Sequence, residues 1–220
     1  MPQPDAILEA LERLAAGEPR EALAAAARAL KEAPRDPDAL YLLGAAHYRC
    51  GELGPAEARL RQAIAADGAT PAFHALMGNV LQDRGDVGEA IKAYRRALRL
   101  QPALAEAHND LGTAYFARGE SERAVECYRR AAALKPGNAV AWANLGALYR
   151  RLGMAREARR ALQSELKVRI FGWLPRRRRH GRTRRPATRT TAAPGHRRIG
   201  GRRRKRGLEK KTREGGIFMV

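Results

Sequence analysis

The sequence contains no apolar run of the roughly 18 residues that a membrane span needs, so no segment reads as a transmembrane helix. Cysteine is nearly absent. Cys50 and Cys127 form no CxxC and no Cys/His pair at metal spacing, which excludes a disulfide framework and a zinc site and fits a reducing compartment. Aromatic residues make up 5% of the chain and β-branched residues are few, so there is little material for strands. The first residues, MPQPDAILEALERLAAG, include acids and no apolar stretch of signal-peptide type, which points to a cytoplasmic protein. The sequence has no G-x-x-x-x-G-K-[ST], no G-x-S-x-G, no H-E-x-x-H and no carboxylate pair tied to a histidine. With no catalytic constellation, no enzyme, cofactor or metal site is expected.

Charge is abundant but unevenly placed. Of 43 Lys+Arg and 23 Asp+Glu, 20 and 2 lie from Lys167 onward, leaving 23 and 21 in the preceding 166 residues. A near-neutral body therefore precedes a very basic end. The body is rich in alanine, which favours helix because it loses no side-chain entropy there.

The body repeats with a period of 34. Gly17, Gly51, Gly85, Gly119 and Gly153 keep that spacing, as do Ala22, Ala56, Ala90, Ala124 and Ala158. Ala29, Ala63, Ala97 and Ala131 form a further series, in which Glu165 takes the fifth place; Pro34, Pro102 and Pro136 close three frames. Within a frame, Asp36 and Pro37 read as an N-cap and first helical residue. Helical apolar spacing follows, then a glycine that ends the helix as an αL cap, then a second helix on the face of Ala56, Leu60 and Ala63. Gly44, Gly78, Gly112 and Gly146, with the first alanine series, are expected where the two helices of a pair cross, and Leu111 and Tyr128 between neighbouring pairs. One pair cannot bury its own apolar face, so pairs must stack: the fold class is an all-α solenoid of antiparallel helix pairs.

Trp142, Leu145, Gly146 and Tyr149 match W-x2-L-G-x2-Y, while Ala90/Tyr94/Pro102 and Ala124/Tyr128/Pro136 match A-x3-F and P with Tyr for Phe. On these residues the chain resembles the tetratricopeptide repeat family over roughly residues 3–167. The frames are 3–36, degenerate with Glu9 and Ala10 at the Leu-Gly positions, then 37–70, 71–104, 105–138 and 139–172, the last losing the pattern after Leu162. His74 and His108 stand at the position of the family's packing Trp and His47 at that of its Tyr, so they are expected in packing rather than on a metal.

The resemblance implies a concave side lined by first helices that binds an extended peptide or a partner helix. The inward-facing candidates are Tyr41, Tyr48 and Arg49; then Asn79, Gln82 and Asp83; then Asn109, Asp110, Thr113 and Phe116; then Asn144, Arg150 and Arg151. Asn79, Asn109 and Asn144 read either as a row of amides for a peptide backbone, in a register that shifts between repeats, or as amides bonded within the scaffold. Tyr41, Ala75, Asn109 and Ala143 fill the slot where chaperone-tail clamps of this family carry Lys, which argues against that ligand.

Residues 173–220 read as a disordered basic tail. Arg176, Arg177, Arg178 and Arg179, with Arg202, Arg203, Arg204, Lys205 and Arg206, offer polyanion (RNA or DNA) binding, or a localisation signal. The same composition is also what a shifted frame in GC-rich DNA would encode. VRIFGWL, residues 168–174, is expected to cap the last repeat rather than anchor in a membrane. The partner expected for the body is another protein or peptide.

Overall fold

The computed structural model describes residues 4–171. Among them are ten helices and no strand, paired as α1 (Pro4–Ala16) with α2 (Pro19–Glu32), α3 (Pro37–Arg49) with α4 (Leu53–Ala66), α5 (Pro71–Asp83) with α6 (Val87–Leu100), α7 (Ala105–Ala117) with α8 (Ser121–Leu134), and α9 (Ala139–Arg151) with α10 (Ala155–Phe171). Each second helix packs on the first helix of the next pair, which builds the expected solenoid. None of these helices is long and apolar enough to cross a membrane.

The helix boundaries follow from local chemistry. Asp36 caps α3, its side chain accepting from the Ala39 N–H at 2.8 Å with Pro37 next in line. Asn138 does the same for α9, accepting from Val140 and Ala141. Every first helix ends in a glycine with φ between 73° and 89°, a region closed to most L residues. In the second pair, Gly51 N–H bonds the Tyr48 carbonyl and Glu52 N–H bonds that of His47, each at 2.9 Å. This is a Schellman closure, and the residue after the glycine is already the N-cap of the second helix. The turn that stops one helix thus sets the start of its partner, so the hairpin angle repeats.

The helices cross at the expected glycines, and one side chain fills each crossing. A Cβ on Gly78 would meet the Tyr94 ring at 2.5 Å, and one on Gly112 the Tyr128 ring at 2.8 Å. At Gly44 and Gly146 the facing residues are Leu60 and Leu162, at 3.0 and 3.1 Å. Tyr128 therefore fills space within its own pair, not between neighbouring pairs. The alanine series Ala22, Ala56, Ala90 and Ala124 is fully buried, and Ala29, Ala63, Ala97 and Ala131 with it. A larger side chain at those places would separate the axes.

The outer pairs depart from the pattern in intelligible ways. Ala10 replaces glycine at the first crossing and is fully buried, while Glu9 turns to Arg28 of α2. The last helix does not stop where its pattern does. It runs 17 residues against 14 in the other second helices, because Ile170 stands where proline ends α6 and α8. Glu165, in the alanine column, is held by Arg169 at 2.8 Å.

Candidate functional site

First helices touch their equivalents in adjacent pairs, α1 on α3, α3 on α5 and α5 on α7. Their shared side is therefore the inner one, and it carries the residues singled out above. Among the described residues, three hydrogen-bond or cation–π contacts cross it between neighbouring first helices. Tyr48 donates its hydroxyl to Asp83 at 2.8 Å, the Asn144 amide donates to Asn109 Oδ1 at 3.0 Å, and the Arg151 guanidinium lies 5.1 Å from the Phe116 ring centroid. Each joins residues 35 apart, one more than the repeat. Successive first helices are offset, so the side chain that meets its neighbour sits one residue further on. The shift between Asn109 and Asn144 is the spacing at which the two amides meet.

Asn79 stands outside that row. Its Oδ1 accepts from Tyr94 of the second helix at 2.8 Å, with Gln82 Oε1 at 3.5 Å from the same hydroxyl. Tyr128 likewise reaches Thr113 of the first helix in its own pair, hydroxyl to hydroxyl at 3.1 Å. The sequence pattern placed these two tyrosines only at packing positions of the repeat, not on the inner face. The glycine crossings let their rings through, and a hydroxyl in place of the family's Phe hydrogen brings a polar group to the inner face. The combination of Gly78 or Gly112 with a tyrosine 16 residues later was the signal.

The middle of this face is acidic and partly dry. Asp110 is half-buried; burial raises its carboxyl above the usual range and Glu106 adds to the rise, while the Asn109 amide at 3.2 Å opposes it. The Tyr48 phenol is pushed up to about 12, first by burial, then by Asp83 and Asp110. The Tyr94 phenol is raised further, by burial and then Asp110. Exposed Arg49 sits near Tyr48, whose ionisation it eases, and Arg150 and Arg151 are exposed at the end of α9. Tyr41 is committed elsewhere: its half-buried ring stacks on Phe73 with centroids 5.0 Å apart. The amides are thus bonded within the scaffold, yet each keeps valences open, since a side-chain amide offers two donors and two acceptor sites.

The histidines serve packing. His74 Nε2 donates to the Gly68 carbonyl and His108 Nε2 to that of Pro102, both at 3.0 Å. Trp142 Nε1 donates to the Pro136 carbonyl at the same distance. The three rings tie each first helix to the loop before it, and a histidine in its Nε2–H tautomer replaces the Trp N–H. Burial lowers the His108 pKa, which keeps that tautomer neutral. His47 instead faces Glu52 at 2.6 Å. Among the described residues no His, Cys, Asp and Glu group could hold a metal ion. Arg176–Arg179 and Arg202–Arg206 lie outside the described residues.

Two family models match the chain. One described as TPR repeat covers residues 78–119 and 112–153, and one described as tetratricopeptide repeat covers 13–80. A search of curated proteins gave no match. Among solved structures, MamA is 26% identical with a TM-score of 0.64, over 71% of this chain and 91% of that one. PilF of Pseudomonas aeruginosa is 19% identical with a TM-score of 0.70, over 74% of each chain. A thermophilic TPR protein of Thermus thermophilus is 24% identical with a TM-score of 0.64, over 74% of this chain and 89% of that one. The matches support a protein-interaction scaffold in general terms.

Proposed function

Because this chain belongs to the tetratricopeptide repeat family, we propose that it is an interaction scaffold without catalysis of its own, which holds an extended peptide or a partner helix along its first-helix face. The observation that carries this is the inner row of half-buried and exposed polar and aromatic side chains, from Tyr48 and Asp83 through Asn109, Thr113 and Phe116 to Asn144 and Arg151. Cross-helix contacts pair Tyr48 with Asp83, Asn109 with Asn144 and Phe116 with Arg151 before any ligand arrives, so a ligand spends less on ordering them. Asn109 and Asn144 present amides suited to a peptide backbone. Asp83 and Asp110 at the centre favour a basic side chain there, and Arg150 and Arg151 at one end favour an acid.

Peptides selected from a random library on the full chain test this. Tyr48→Ala with Phe116→Ala, and separately Asn109→Ala with Asn144→Ala, are expected to weaken the selected peptides at least tenfold, with helicity by circular dichroism unchanged. Peptide binding that survives removal of the whole row would overturn the groove.

A further inference from the structure

A second surface lies among the second helices and does not depend on the groove. α6 carries Lys92, Arg95, Arg96 and Arg99 against Glu89 alone, and α8 carries Arg123, Arg129 and Arg130 against Glu122 and Glu126. Both helices pack on α7, which holds them apart and leaves between them a cleft of about 670 Å³. Arg95 stands on one wall and Arg123, Arg129 and Arg130 on the other, over a floor that includes Leu111 and Tyr115 of α7. Glu126 is the one carboxylate in this lining, too little to balance four guanidiniums.

Two of the arginines are already engaged. Arg123 pairs with Glu120 at 2.5 Å, and Arg129 donates to the Tyr149 hydroxyl at 2.5 Å. Arg95 and Arg130 have no such partner among the described residues. Beside them the His108 pKa is lowered chiefly by burial, against the hydrogen bond to the Pro102 carbonyl, and Arg130 adds a smaller push in the same direction as burial. The arginines also continue along the stack: Arg61, Arg95 and Arg129 share one repeat position, and Arg96 and Arg130 the next.

A guanidinium binds a carboxylate in a two-pronged fork, and a row of guanidiniums stepping from helix to helix matches a chain bearing several carboxylates. A base-stacking ligand fits poorly, because Arg118 and Arg123 cover the Tyr115 ring and Arg129 covers that of Tyr149. We propose that the cleft between α6 and α8 binds an acidic segment of a partner protein, whose side-chain carboxylates seat on Arg95 and Arg130.

Cys127 lines the same cleft and gives a local reporter that the basic end of the chain does not confuse. Its thiol is half-buried and pushed up to about 11 by burial and Glu126, so its modification is slow and sensitive to cover. In the full-length Cys50→Ser chain Cys127 is the sole thiol. Its rate with a neutral maleimide is measured with and without a synthetic glutamate-rich decapeptide. At ten times the peptide's Kd, modification should slow about tenfold. Arg95→Glu with Arg130→Glu should abolish the protection, Arg95→Lys with Arg130→Lys should retain most of it, and Tyr48→Ala with Phe116→Ala should leave it intact. Circular dichroism checks each fold; both arginines are exposed, so the variants should fold. Three results would each overturn the proposal: peptide binding that leaves Cys127 unprotected, protection that persists in the glutamate variant, or equal protection by inorganic phosphate or a short single-stranded DNA.

Discussion

Placing a methyl group on Gly78 tests the crossing that defines the fold. A Cβ there would lie 2.5 Å from the Tyr94 ring, about 1–1.5 Å inside the contact distance of about 3.5–4.0 Å between carbons. The ring has nowhere to go: Tyr94 is fully buried and its hydroxyl is bonded to Asn79. Gly78→Ala gains about 1 kcal/mol of helix propensity, against about 2–3 kcal/mol for overpacking a ring that cannot move, the upper part of the usual range, so a net loss of about 1–2 kcal/mol is expected. Gly146→Ala meets the Leu162 methyl end at 3.1 Å, which can give by a few tenths of an ångström; that variant should be neutral or slightly stabilised. Urea unfolding followed by circular dichroism is the assay, with midpoints compared, since stacked repeats need not unfold in one step. For a slope of about 2 kcal/mol/M, Gly78→Ala should move the midpoint down by about 0.5–1 M. Adding Tyr94→Leu, the residue type at this position in α4 and α10, should make the double variant less destabilised than the sum of the singles. A Gly78→Ala chain as stable as the parent, or strict additivity with Tyr94→Leu, would refute the reasoning.

Three further outcomes are expected. A double-mutant cycle on Asn109→Ala and Asn144→Ala should show a coupling of about 0.5–1 kcal/mol in unfolding, and zero coupling would mean the bond across α7 and α9 contributes nothing. Glu57, 4% exposed, is held by Arg61 and by Arg84 from the next pair. Arg84→Ala should cost about 1–3 kcal/mol by thermal or urea melts, and Glu57→Gln in that background should recover part of it. Because the fold raises the Tyr48 phenol above its ordinary value, the stability it contributes is complete below pH 10 and is lost as pH climbs toward about 12. Asp83→Asn should lower the pH of that step in a phenolate absorbance titration.

Much of the fold was legible because its determinants are short-range. Asp36 with Pro37, and a glycine every 34 residues, carry their instructions within one helical turn, and the structure realises them as caps and Schellman closures. The crossing glycines were readable by size alone. Their partners were not: whether Tyr128 fills its own pair or the gap to the next depends on the depth at which two helices interlock. The same limit applies to the inner face. The spacing between Asn109 and Asn144 looks like a lost register in the sequence, and the offset of neighbouring first helices turns it into a bond. Nor does the sequence show Tyr94 and Tyr128 reaching through from the second helices to Asn79 and Thr113.

The cleft between α6 and α8 was invisible for a related reason. Arg95 and Arg130 are separated by a whole helix in the chain, and only their common packing on α7 sets them around one volume. The sequence by itself determined the repeat, the helix ends and the need to stack, because glycine torsions, caps and alanine volumes act locally. Tertiary structure alone decided which side chains meet across repeats, because that depends on the offset between successive helix pairs, a distance no single turn of the chain encodes.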